Sequence, residues 1–141
     1  MENLIENLLG LDDKHFNNEK TKDVEIPRLT KATGSPFFVK IRNLTPDRIY
    51  ELQDRSLDKT GAVNMGKFYK GALSICSEAI VEPDFESERL KKKLHLHEKC
   101  LKIDVLSKVF KVSEINELNS EVMSISGFDE AGGVISELKN D

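Results

Sequence analysis

The only run of metal-ligating side-chain types in the sequence is His95-Leu96-His97-Glu98-Lys99-Cys100. Neutral imidazoles and a thiolate bind zinc, but a structural zinc site takes four ligands. His15 is distant in sequence, and no Cys-x-x-Cys or His-x-x-x-His pair completes the set, so a turn between helices is expected here. Arg89, Lys91, Lys92 and Lys93 could hold phosphates, yet no aromatic residues interleave with them to stack bases. A solvated helix face is the expectation for that run. Gly127 and Gly132-Gly133 lack the Gly-Lys-Ser/Thr sequence and the preceding strand of a phosphate-binding loop. Carboxylates are plentiful, but none stands in an apolar setting that would make it a general acid or base, and no serine has a nucleophile motif around it. The residues predict no enzyme, no cofactor and no metal.

The elements that position these side chains belong to a chain of 141 residues, 33% charged and 6% aromatic, with no Trp. That mixture suits a helical domain with solvated outer faces better than a sandwich of many short strands. The net charge of −4 provides no general attraction for nucleic acid. Charge is unevenly spread: Phe85 to Phe110 holds seven basic and four acidic residues, and Lys111 to Asp141 holds two basic and seven acidic ones. Two helix faces that attract each other, within one chain or between copies, account for this split. Two cysteines, Cys76 and Cys100, make no disulfide framework and suggest a reducing compartment. No uncharged run is long enough to span a bilayer, and Glu2 and Glu6 stand where a signal peptide would be basic. A soluble cytoplasmic protein is expected.

The central element is Lys67 to Phe85. Phe68, Tyr69, Ala72, Leu73, Cys76, Ala79 and Ile80 follow the spacing of a helix with one wide buried face. Pro83 ends it, since proline disfavours the helical region for Glu82 before it. Upstream, Val24-Glu25-Ile26-Pro27-Arg28-Leu29 and Phe37 to Leu44 have strand composition, with turn formers between them, and predict a β-hairpin. Thr45-Pro46-Asp47 is a helix start with Ile49, Leu52 and Tyr50 inward. Asp84 or Ser87 caps a short helix with Leu90 and Leu94 inward and the basic run mostly outward. Leu101, Val105, Leu106, Val109 and Phe110 mark another helix. Ser113 caps the last one, which carries Ile115, Leu118, Val122 and Ile125 and ends at Gly127.

The expected fold is mainly α (α+β): a small helical domain with an N-terminal β-hairpin packed on a bundle of about five helices and flexible ends. Residues 1–23 form an amphipathic arm and linker, 24–128 a single globular domain (hairpin 24–44, helices 45–128), and 129–141 an acidic, frayed tail. The arm MENLIENLLGL sets Leu4, Ile5, Leu8 and Leu9 on one face, and is too short to hold a helix alone in water. Packing, including onto another copy, or recognition of a partner are its two uses.

In the order of these segments the sequence resembles the XkdN-like tail assembly chaperones of long-tailed bacteriophages and related prophages. The likeness runs from the Leu-rich start (Leu4, Leu8, Leu9) through Val24-Glu25-Ile26-Pro27-Arg28-Leu29. It continues with Phe38-Val39-Lys40-Ile41-Arg42-Asn43-Leu44-Thr45, similar to the family's strand into helix, and with Ala79-Ile80-Val81-Glu82-Pro83-Asp84-Phe85, similar to its helix ending. Ser126-Gly127-Phe128 is similar to its final motif. Related sequences often carry Gly-Glu between the last two helices, where this chain has Phe110-Lys111-Val112-Ser113.

The resemblance implies a non-enzymatic role in the bacterial cytoplasm: binding the helical tape measure protein during tail assembly, keeping it from aggregating, and being absent from the finished tail. Tail tube subunits, a frameshift-extended form of the chaperone and further copies of the chain are the other partners it implies. Nucleic acid and membrane are not among them. Leu4, Ile5, Leu8 and Leu9, with the surplus apolar residues Phe37, Phe68 and Phe85, are the expected partner-binding residues. Two other readings are a small nucleic-acid-binding regulator using Arg89 to Lys93, and a structural tail or connector subunit that stays in the particle.

Overall fold

The computed structural model describes residues 3–13, 16, 19–54 and 65–128. In chain order these form α1 (Leu4–Leu9), β1 (Thr21–Glu25), α2 (Pro27–Thr33), β2 (Phe38–Arg42), α3 (Pro46–Gln53), α4 (Met65–Ala79), β3 (Ile80–Glu82), α5 (Glu88–Lys93), α6 (Lys102–Val109) and α7 (Val112–Ile125). The class is α+β and mainly helical, as the patterning predicts, with an antiparallel β1–β2 hairpin near the N-terminus. The acidic tail from Asp129 lies outside the described residues.

α4 is the centre of the core. Its buried residues Ala72, Leu73, Ile75, Cys76 and Ala79 recur at helical spacing. The helix packs against α7, α3 and α6. One cluster runs from Val24 and Ile26 through Ile41, Ile49, Leu52, Ile75 and Val105 to Leu118 and Val122, so N- and C-terminal elements share a single core. Burying each such side chain contributes about 1.5–3 kcal/mol relative to leaving it in water.

The helix ends earlier than Pro83 suggests. Ile80–Glu82 is a strand, pairing Ile80 with Ile41 and Glu82 with Lys40 and adding a third strand to the hairpin in the order β1-β2-β3. Ile80 and Val81 are β-branched, Glu82 precedes Pro83, and the far edge of β2 offers hydrogen bonds, so the chain extends. The ladder slips between Lys40 and Ile41.

The hairpin also differs from its expected form. β1 begins at Thr21 and stops before Pro27, which takes the first turn of α2. A proline there loses no hydrogen bond and has a helical φ already set. The supposed turn residues Thr30 to Thr33 are helical, and Gly34 ends α2 at φ 78° with its N–H on the Thr30 carbonyl. Glycine adopts this left-handed conformation without steric cost.

The remaining caps are mostly local. Thr45 Oγ1 accepts from the Arg48 N–H, with Pro46 opening α3. Ser87 Oγ accepts from the Leu90 N–H to start α5. α7 is capped differently from expectation: Glu114, rather than Ser113, accepts from the Lys111 N–H at 2.8 Å. Gly127, at φ 99°, follows its end. Tyr50, expected inward, is exposed on α3 and meets Phe128 edge-on at 5.7 Å.

Two clamps join distant segments. Arg28 donates to both Glu114 carboxylate oxygens, at 3.0 and 2.8 Å, and to the Val109 carbonyl at 2.8 Å, tying α2 to the junction of α6 and α7. Arg48 on α3 grips the Glu78 carboxylate of α4 with Nε and Nη2. Arg42 donates to the Glu78 carbonyl at 3.1 Å. The Leu44 N–H donates to Ser126 Oγ at 2.9 Å, fastening the end of α7 to the sheet.

Candidate protein-binding surface

α1 follows from its sequence. Asn3 caps it by accepting from the Glu6 N–H, and one face carries Leu4, Ile5, Leu8 and Leu9. No residue of α1 is buried: Leu4 is 67% exposed, Ile5 64%, Leu8 46% and Leu9 78%. Four large aliphatic side chains on one short helix are thus left in water. A contiguous apolar face of this kind differs from apolar residues scattered singly over a surface.

The three phenylalanines expected beside the arm divide. Phe68 on α4 is 41% exposed. Phe37 is partly buried against the core, its N–H held by Thr30 Oγ1 and its carbonyl by the Ile26 N–H. Phe85 corrects the expectation. It is 2% exposed and packs edge-on against Phe110 at 5.4 Å, so it belongs to the core and is not available to a partner. Phe110, its partner, directly follows the last residue of α6.

Other apolar residues reach the surface: Phe16, Phe38, Val81, Leu101 and Val112. Phe38 was legible, since it alternates with the inward Val39 and Ile41 and shares a face with Lys40 and Arg42. Leu101 was not, because its spacing with Val105 reads as inward, whereas it precedes the first turn of α6. Leu101 and Ile103 line a groove of about 540 Å³ between α3, α4 and the start of α6, together with Arg48, Leu52, Ser77 and Glu86. In this groove Lys102 donates to the Ile80 carbonyl at 2.9 Å. Burial lowers its amine pKa, opposed by Glu86 and Asp84.

The basic run is not a uniform face. Lys91, expected outward, is 8% exposed, and its Nζ donates to the Glu98 carbonyl at 3.1 Å. Arg89, Lys92, Lys93 and His95 line a shallow hollow of about 550 Å³. His97 Nδ1 accepts from the Lys99 N–H, and no group of three metal-ligating side chains occurs among the described residues. Cys76 is fully buried, its thiol pushed up to about 12 by burial and directed at the Ile115 carbonyl. A thiol in this state is a small core hydrophobe. Among the described residues no helix is long and apolar enough to cross a membrane.

These features define a small, mainly helical α+β protein with a capped apolar helix displayed outside its core. The chain belongs to the phage XkdN-like tail assembly chaperone family, whose model matches residues 5–139. Among solved structures the chain is similar to the crystal structure of the protein yqbn, at 25% identity and a TM-score of 0.49, covering 78% of this chain and 88% of that one. No protein of curated function matches it.

Proposed function

We propose that this tail assembly chaperone binds the tape measure protein in the cytoplasm of the bacterial host, shields its apolar surface until tube subunits assemble around it, and is absent from the mature tail. The observation that carries the reading is α1, whose Leu4, Ile5, Leu8 and Leu9 lie on one face with none buried. A long helical client would itself display apolar stripes, and a short amphipathic helix can lie along such a stripe at i, i+3, i+4 contacts. Phe68 and the groove beside Leu101 offer further apolar area. The working division is an arm over residues 1–23, a body over 24–128 and an acidic tail over 129–141. Tail tube subunits, a frameshift-extended form and a second copy are further partners of the same arm.

The test is co-expression with tape measure fragments and pull-down. Changing Leu8 and Leu9 to Asp is expected to abolish recovery of the fragment and leave it aggregated. Equal recovery would remove the arm from the mechanism. Mass spectrometry of purified tails separates a chaperone, which is missing there, from a structural subunit, which remains.

A further inference from the structure

The sheet has two edges, and they are finished differently. β3 is three residues long, its ladder slips beside Lys40, Pro83 follows it, and Lys102 occupies the Ile80 carbonyl. These are the devices that blunt an edge against further pairing. β1 is longer, five residues, and pairs with β2 without a slip; its protection is charge alone, from Lys22, which pairs with Glu121, and from Asp23 and Glu25.

The hydrogen-bond phase of the hairpin shows what β1 presents. The Asn43 N–H donates to the Lys20 carbonyl and the Ile26 N–H to the Phe37 carbonyl. The ladder between these two bonds has no register shift. Residues 20, 22, 24 and 26 therefore direct their backbone groups at β2, because bonding alternates along an antiparallel strand. Thr21, Asp23 and Glu25 direct their N–H and carbonyl groups the other way, and all three are exposed.

Charge says what kind of strand fits there. On the solvent face Asp23 lies opposite Lys40, and Lys40 opposite Glu82, a row that alternates in sign across the sheet. Glu25 stands in the adjacent row, opposite Phe38. A fourth strand would extend these rows next to Asp23 and Glu25, where cationic side chains two residues apart gain and anionic ones lose. A second copy of β1 is a poor occupant. Its three central antiparallel registers set Lys22 against Lys22, Asp23 against Asp23, or Asp23 against Glu25.

We propose that the open edge of β1 is a strand-addition site for an extended basic segment of another protein, with Lys or Arg at positions i and i+2. A strand edge differs in kind from the apolar face of α1 and adds to the arm a second, differently shaped contact. Backbone bonds to Thr21, Asp23 and Glu25 supply affinity, and the two carboxylates supply selectivity.

Amide hydrogen exchange and heteronuclear NMR on the full-length chain test it, using a capped lysine–valine alternating peptide of about six residues and its glutamate–valine counterpart. The expected result is slowing of exchange by at least about tenfold, or 1.4 kcal/mol, at the Thr21, Asp23 and Glu25 amides. Lys22 and Val24 should be unchanged, and the acidic peptide without effect. N-methylation of the peptide amides facing β1 should abolish the protection. Asp23→Lys, at an exposed position, should weaken the basic peptide and admit the acidic one. No protection at the three amides, equal binding of both peptides, or survival of binding after N-methylation would each overturn the proposal. So would protection of those amides without peptide in a self-associated sample. If Asp23→Lys disturbs the fold, the comparison of the two peptides on the unchanged chain decides the question alone.

Discussion

Replacing Glu114 by alanine removes the carboxylate on which three segments meet. Glu114 accepts from the Lys111 N–H, capping α7, and from Arg28 through two nitrogens. Loss of a capping acceptor costs about 1 kcal/mol. Hydrogen bonds to a charged group are worth about 1.5–3 kcal/mol when desolvated. The Arg28 side chain is 37% exposed, however, and screening reduces that contribution to about 1 kcal/mol. The expected loss is therefore about 2 kcal/mol at neutral pH, or roughly 6 °C in Tm for a chain of this size. Glu114→Gln, which keeps an acceptor for the Lys111 N–H, should lose about half as much.

The pH dependence provides the sharper check. The hydrogen bond from Arg28 holds the Glu114 carboxyl below the usual carboxylate range, against an opposing effect of burial and with help from the Lys111 N–H. A depressed folded-state pKa stabilises fully above the unfolded value of about 4.3 and ceases to do so as pH falls through the folded value. Chemical denaturation of the wild type and Glu114→Ala should thus show a constant gap from about pH 5 upward, narrowing below about pH 4. A double-mutant cycle with Arg28→Ala should return a coupling of about 1 kcal/mol. A coupling indistinguishable from zero, or a gap unchanged at about pH 3, would falsify the clamp.

Three further outcomes are expected. His95 ends α5 at φ 60°, with its N–H on the Lys92 carbonyl and the Leu96 N–H on the Lys91 carbonyl, a position glycine fills without strain. His95→Gly should raise stability by about 1 kcal/mol in urea denaturation, and a loss would refute strain at this turn. Cys100 should react with a thiol reagent in the native protein well before Cys76, whose thiol is fully buried; equal rates would contradict the packing of α4. Leu118→Ala should cost about 2–5 kcal/mol, whereas Leu9→Asp should change stability by less than about 0.5 kcal/mol. A large loss from Leu9→Asp would mean that the arm is packed on the body.

Much of the molecule was legible because its signals act over a few residues. Thr45-Pro46-Asp47, Ser87 and Gly127 mark helix ends through bonds to neighbours three or four positions away, and the structure bears them out. The spacing of Ala72, Leu73, Cys76 and Ala79 defined the core face of α4, and Leu4, Ile5, Leu8 and Leu9 defined the apolar face of α1. Even the exposure of Phe38 is implied by strand alternation.

What the sequence could not determine depends on partners far along the chain. Ile80 to Glu82 reads as the end of a helix until β2, some forty residues earlier, offers an edge. Pro27 reads as a flaw in a strand until a helix starts on it. Lys91 turns inward because the Glu98 carbonyl is there to receive it, and Phe85 is buried because Phe110 lies across it. Glu114 displaces Ser113 as the cap of α7 because Arg28 holds its carboxylate in place. Local propensity is worth tenths of a kcal/mol per residue, while a buried aromatic or a satisfied buried charge is worth several times more. Where the two disagree, tertiary contact wins. The sequence by itself therefore determined most of the helices, the caps at Thr45 and Ser87 and the apolar face of α1, and the assembled core decided α2, the third strand, the clamp at Glu114 and which phenylalanines stay exposed.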